Sequence, residues 1–144
     1  VMMQLMDTSG VEEYSAMREY YISKSEGFII MYSITSRSSF EYASKLLNLV
    51  KRVKHNNDPA ILIAGAKSDL NCAREVSLAE GKKMAQKNNC PFLEISALQN
   101  RNIDEMFYEI SMEIATRKRA DGPTAVEPKK QLKKKKKNSK CTVM

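Results

Sequence analysis

Two short stretches of this 144-residue chain combine residue types that can do chemistry. Near the start, Asp7-Thr8-Ser9-Gly10 follows directly on an apolar run over residues 1–6. A carboxylate at the carboxyl end of a parallel strand stands where open α/β sheets bind ligands. The D-x-x-G spacing would let Asp7 work on a magnesium ion while the Gly10 N–H reaches a terminal phosphate. At the far end, Cys141-Thr142-Val143-Met144 places a cysteine fourth from the end, with an apolar Val143 and a final methionine. That pattern fits the C-a-a-X prenylation signal, and farnesyl is the usual chain when methionine is last.

One prenyl chain holds a protein on a membrane only marginally, so a second signal is normally required. Directly upstream, Lys129, Lys130, Lys133, Lys134, Lys135, Lys136, Lys137 and Lys140 are eight lysines with no acid among them. Each is worth about 1 kcal/mol beside an anionic leaflet, so together they convert a weak anchor into a stable one. A lysine run by itself is also the pattern of a nuclear signal or a nucleic-acid patch. The cysteine at this position favours the lipid, and with it the cytoplasmic face of the plasma membrane.

The formal charge of +7 belongs almost wholly to that tail, because residues 1–128 hold 16 basic and 17 acidic residues. The body is therefore not a nucleic-acid binder by charge. Three cysteines, Cys72, Cys90 and Cys141, make no even disulfide framework. Cys72 and Cys90 read as ordinary loop or core residues. No apolar run approaches the 18 or so residues of a membrane span.

The elements that must position these groups alternate in type. Short apolar runs at 1–6, 28–33, 60–65 and 92–95 suit strands buried on both faces. Between them, Phe40, Ala43, Leu46, Leu47, Val50 and Val53 mark one face of an amphipathic helix. Ile103, Met106, Phe107, Ile110 and Ile114 mark another, with Asn100 or Asn102 able to cap its start. Residues 77–88 form a weaker third, opened by the capping-box pattern Ser77-Leu78-Ala79-Glu80. Strand alternating with helix implies an α/β fold with a parallel sheet. Two units are expected: a domain over 1–119 and a flexible polybasic tail over 120–144.

The twelve residues from Asp7 to Arg18 closely resemble the second switch of Ras-type small GTPases. Ala66-Lys67-Ser68-Asp69-Leu70 is similar to that family's N-K-x-D guanine motif, and Glu94-Ile95-Ser96-Ala97-Leu98 to its E-T-S-A-K. The resemblance implies a Ras-like, P-loop NTPase-like sheet flanked by helices. It further implies a small monomeric GTPase, a signalling switch binding GTP and GDP with Mg2+. By that resemblance Asp7 serves the metal and Gly10 the phosphate. Asp69 accepts from the guanine edge, the Lys67 stem packs on the base, and Ser96 and Ala97 complete the base loop. Glu12, Tyr14 and Met17 would meet effectors, exchange factors and activating proteins, although Tyr14 and Met17 read equally well as helix packing. His55 reads as plain surface.

Departures accompany the match. No G-x-x-x-x-G-K-[ST] occurs in the chain, so the phosphate loop is absent, and so is the first switch. The resemblance places both upstream of Val1, and Val1 itself hints at an incomplete start. Val11 stands where the family usually has the glutamine that orients the attacking water, so intrinsic hydrolysis should be slow. Ala66 replaces an asparagine, Leu98 a lysine and Ser9 an alanine. Two readings follow: a Ras-like switch that binds and slowly hydrolyses GTP, or a degenerate module that presents its second switch at a membrane without turnover. The resemblance also implies that a central strand is missing between residues 1–6 and 28–33. Both flanking strands would then lack a ladder partner, and the chain alone should fold poorly.

Overall fold

The computed structural model describes residues 2–7, 15–55, 57–120 and 138–143. In chain order these form β1 (Met2–Asp7), α1 (Ser15–Lys24), β2 (Gly27–Ser33), α2 (Arg37–Lys54), β3 (Ala60–Ala66), α3 (Leu78–Lys87), β4 (Phe92–Glu94), α4 (Ile103–Ala120) and β5 (Asn138–Val143). A single 3₁₀ turn, Asn71–Ala73, lies between β3 and α3. The strands make one sheet in the order β1-β5-β2-β3-β4, parallel throughout. This is the α/β, Ras-like P-loop NTPase architecture that the sequence resemblance implies.

Strand β2 alternates its side chains between two cores, as the period of two requires. Phe28, Ile30 and Tyr32 meet Ile22 of α1, Ala43, Leu46, Leu47 and Val50 of α2, and Ala85 of α3. Ile29 faces the opposite way, with Leu62 of β3, toward Met106, Ile110 and Ile114 of α4. Strands covered on both faces have no need of polar residues, which explains the continuous apolar runs at β2 and β3.

The three periodic segments are helices where expected. Ser36 caps α2 by accepting the Ser39 N–H at 3.2 Å. The capping box of α3 closes in both directions between Ser77 and Glu80. Asn102 differs from expectation: its φ is 57° and its side-chain amide donates to the Glu94 carbonyl at 2.8 Å. Helix α1 is one that periodicity does not announce, because Met17 and Tyr20 are exposed and Ile22 is its one buried apolar residue.

The main correction concerns the C-terminus. Residues 138–143, read from sequence within one flexible tail, form a strand in the middle of the sheet. It occupies the gap that the sequence leaves between β1 and β2. Met2–Asp7 pairs with it along its whole length, while Gly27, Phe28 and Ile29 pair with Cys141, Thr142 and Val143. Among the described residues β1 has no other strand partner, so it joins the sheet through β5. The remainder of the tail, 121–137, lies outside the described residues, as do Gly10, Val11, Glu12 and Tyr14.

Candidate nucleotide site

The residues singled out by sequence lie at the carboxyl ends of the parallel strands. Asp7 ends β1 and is exposed. Ala66 ends β3, and its carbonyl accepts the Ile34 N–H at 3.0 Å. The next residue, Lys67, is exposed and has a φ of 62°, a left-handed conformation that a non-glycine residue adopts only where its surroundings demand it. The turn is closed by the Leu70 N–H donating to the Lys67 carbonyl at 2.9 Å.

A second loop leaves β4 alongside the first. The Ser68 N–H donates to the Ile95 carbonyl at 3.0 Å, and the Ile95 N–H to the Gly65 carbonyl at 2.8 Å. Ser96 is fully buried, with 0% exposure, and its Oγ donates to Asp69 Oδ1 at 2.6 Å. The same Oγ accepts the Gln99 N–H at 3.1 Å. Lys67, Asp69, Ser96 and Ala97 are thus brought onto adjoining loops, with Asp69 held from below by Ser96.

The loop itself is a tight return. Ser96 and Arg101 exchange two backbone hydrogen bonds, of 3.1 and 2.8 Å, in an isolated antiparallel bridge. Asn100 at φ 48° and Asn102 at φ 57° make the return possible, because asparagine tolerates the left-handed region better than most residues. Glu94, at the start of the loop, takes a two-pronged grip from Arg74 at 2.6 and 2.9 Å. Sequence reasoning missed Arg74 and the bracing role of Asn102; the left-handed asparagines were the signal available. Leu98, where the family has lysine, is 85% exposed and buries nothing.

The donor set bears on magnesium. No group of three or more His, Cys, Asp or Glu able to hold a metal occurs among the described residues. A lone strand-end carboxylate fits Mg2+, which keeps several waters and is bound through one or two carboxylates plus substrate phosphates. Met17, on α1, is 51% exposed, which leaves its side chain open to a partner.

A parallel sheet covered on both faces, with polar loops gathered at the carboxyl ends of its strands, defines an α/β ligand-binding domain of the nucleotide-binding type. A model of the Ras family matches residues 1–116. Ras-like protein rasB of Dictyostelium discoideum is 36% identical over 143 residues, which is 99% of this chain and 73% of that protein. Ras-like protein 1 of Saccharomyces cerevisiae is 44% identical over 108 residues, 75% of this chain and 35% of that protein. The chain belongs to the Ras family of small GTPases.

Proposed function

We propose that this chain works as a membrane-tethered guanine-nucleotide switch with slow GTP hydrolysis. The observation that carries this is the Ser96–Asp69 hydrogen bond, which ties the loops after β3 and β4 into one recognition surface. A carboxylate has about four acceptor sites, so Ser96 orients Asp69 while leaving capacity for the guanine N1–H and N2–H. Lys67 covers the base with its stem, and the Ala97 N–H faces the guanine carbonyl. Asp7 would hold Mg2+, which when bound with nucleotide neutralises charge on the β- and γ-phosphates. Val11 has no group that can align a water, so turnover is limited at that position. Regulators and effectors would engage Glu12, Tyr14 and Met17. Cys141 carries the lipid, and Lys133, Lys134, Lys135, Lys136 and Lys137 supply the electrostatic second signal to anionic lipids at the cytoplasmic face of the plasma membrane.

Paired substitutions separate binding from chemistry. In the nucleotide-bound protein, Val11→Gln should raise single-turnover hydrolysis by roughly tenfold, a barrier change of about 1.4 kcal/mol, with affinity unchanged. Ala66→Asn should do the reverse, slowing guanine nucleotide release by roughly three- to tenfold for about one added hydrogen bond. Flat hydrolysis in Val11→Gln with nucleotide demonstrably bound would favour a degenerate interaction module. For the anchor, a fluorescent fusion of residues 121–144 should reach the plasma membrane, and Cys141→Ser should release it. A nuclear fusion with Cys141 intact would sink the tether.

A further inference from the structure

Strand β5 is built from the residues that carry the lipidation signal. Its alternation sends Cys141 and Val143 to the core under α4, where Cys141 is 0% exposed beside Ile29, Ile110 and Ile114. Thr142 points to the opposite face, is fully buried, and meets Ser25 Oγ through its hydroxyl. Ser25 spends its own proton on the Tyr21 carbonyl at 2.8 Å, so Thr142 is the donor between them. On both sides the backbone is paired, with β1 across residues 138–143 and with β2 across 141–143. The signal is therefore engaged by three surfaces at once: two strand edges, the α4 core and the Ser25 hydroxyl.

Prenyl transfer needs the opposite arrangement. The Cys141 sulfur must attack the C1 carbon of an allylic prenyl diphosphate. A C–S bond forms as the C–O bond breaks, pyrophosphate leaves with the electron pair, and the thiol proton passes to solvent. A sulfur packed in a side-chain core cannot reach that carbon, and a core packed to protein density has no room for the resulting chain. Burial also pushes the Cys141 thiol up to about 11, which lowers its thiolate fraction further.

We infer that the C-terminus has two mutually exclusive states, one as the central strand of its own sheet and one as an extended lipid-bearing tail. Sheet insertion in cis thus withholds Cys141 from modification, and the lipid, once attached, keeps β5 out of the sheet. The second half of this inference rests on the prenyl-anchor reading above; the burial of Cys141 does not.

The test uses the intact 144-residue chain with two readouts. In the first, a small maleimide labels thiols under native conditions, and peptide mass spectrometry compares Cys141 with the exposed Cys72 in the same molecule. Cys141 should label at least tenfold more slowly. Ser25→Ala, which strands the Thr142 hydroxyl and leaves the final four residues intact, should speed it about five- to tenfold. Ser139→Pro, which removes a ladder donor outside the signal, should bring it level with Cys72. Equal rates in the unaltered chain would overturn the inference. So would protection that grows with protein concentration, because that places β5 in a second copy. In the second readout, farnesyl diphosphate and a prenyltransferase are offered a synthetic 129–144 peptide or the intact chain. A modified peptide beside an intact chain at least tenfold slower, with Ser25→Ala between them, supports the exclusion. An intact chain as fast as the peptide overturns it. If the peptide itself is refused, the lipid reading fails, and the maleimide comparison still decides whether β5 is inserted.

Discussion

At the scale of single residues, the candidate base site depends on one buried hydroxyl. Ser96 Oγ is the hydrogen-bond donor to Asp69 Oδ1, and hydrogen bonds to charged groups are worth about 1.5–3 kcal/mol. Ser96→Ala should lower stability by that order in urea unfolding, whereas Ser96→Thr, which keeps the hydroxyl, should recover most of it. Equal losses in both variants would mean that packing, not the bond, holds the loop. Lys67, Asp69, Ser96 and Ala97 were legible because their types and order match a known pattern. Arg74 and Asn102 were not. Their work is done through Glu94, at 2.6 Å from the first and 2.8 Å from the second, and such pairings are set by the folded chain rather than by local spacing.

At the scale of elements, two contacts make testable demands. Gly27 begins β2 directly beneath α4, and a Cβ added there would lie 2.5 Å from Ile114 Cδ1 and 2.7 Å from Cγ1. Gly27→Ala should therefore cost about 1–3 kcal/mol of overpacking, and Ile114→Val, which removes the clashing methyl, should restore part of it. Helix α3 is fixed by charge at its first turn. Arg37, donating to both Glu80 oxygens at 2.5 and 3.1 Å, and then the Ser77 N–H hold the Glu80 carboxyl down to about 2. Its pKa is depressed on folding, so its contribution is complete above about 4.5 and is lost as pH falls toward 2. Thermal midpoints of the unaltered chain and Glu80→Gln should differ at pH 6 and converge by pH 2; a constant gap would assign the effect to shape alone. Helices α2, α3 and α4 were legible from periodicity and caps. Strand β5 was not, because its register comes from partners at the other end of the chain, and six residues after a lysine run carry no alternating pattern of their own.

At the scale of the molecule, the sheet is held together from the middle. Deleting residues 138–144 removes the partner of β1 and one partner of β2, exposing two edges with unpaired N–H and C=O groups. The truncated chain should lose its sharp thermal transition and scatter light as concentration rises. Adding a peptide of residues 137–144 in trans should restore the transition. A truncated chain that melts as sharply as the full one would show that β5 contributes nothing to cooperativity. The expectation of poor folding drawn from sequence thus becomes conditional on whether the C-terminus is inserted.

The position of β5 also imposes an order in time. Met2 pairs with Asn138 and Gly27 with Cys141, contacts that span nearly the whole chain and so close slowly. A ribosome adds about 5–20 residues per second, and it makes the central strand last. Every other element is complete while the slot between β1 and β2 still stands open. The nascent chain therefore carries its most exposed strand edges until the moment of release. A stalled or prematurely ended translation product would meet that hazard permanently, and a chaperone that covers strand edges would act on this protein before its C-terminus exists.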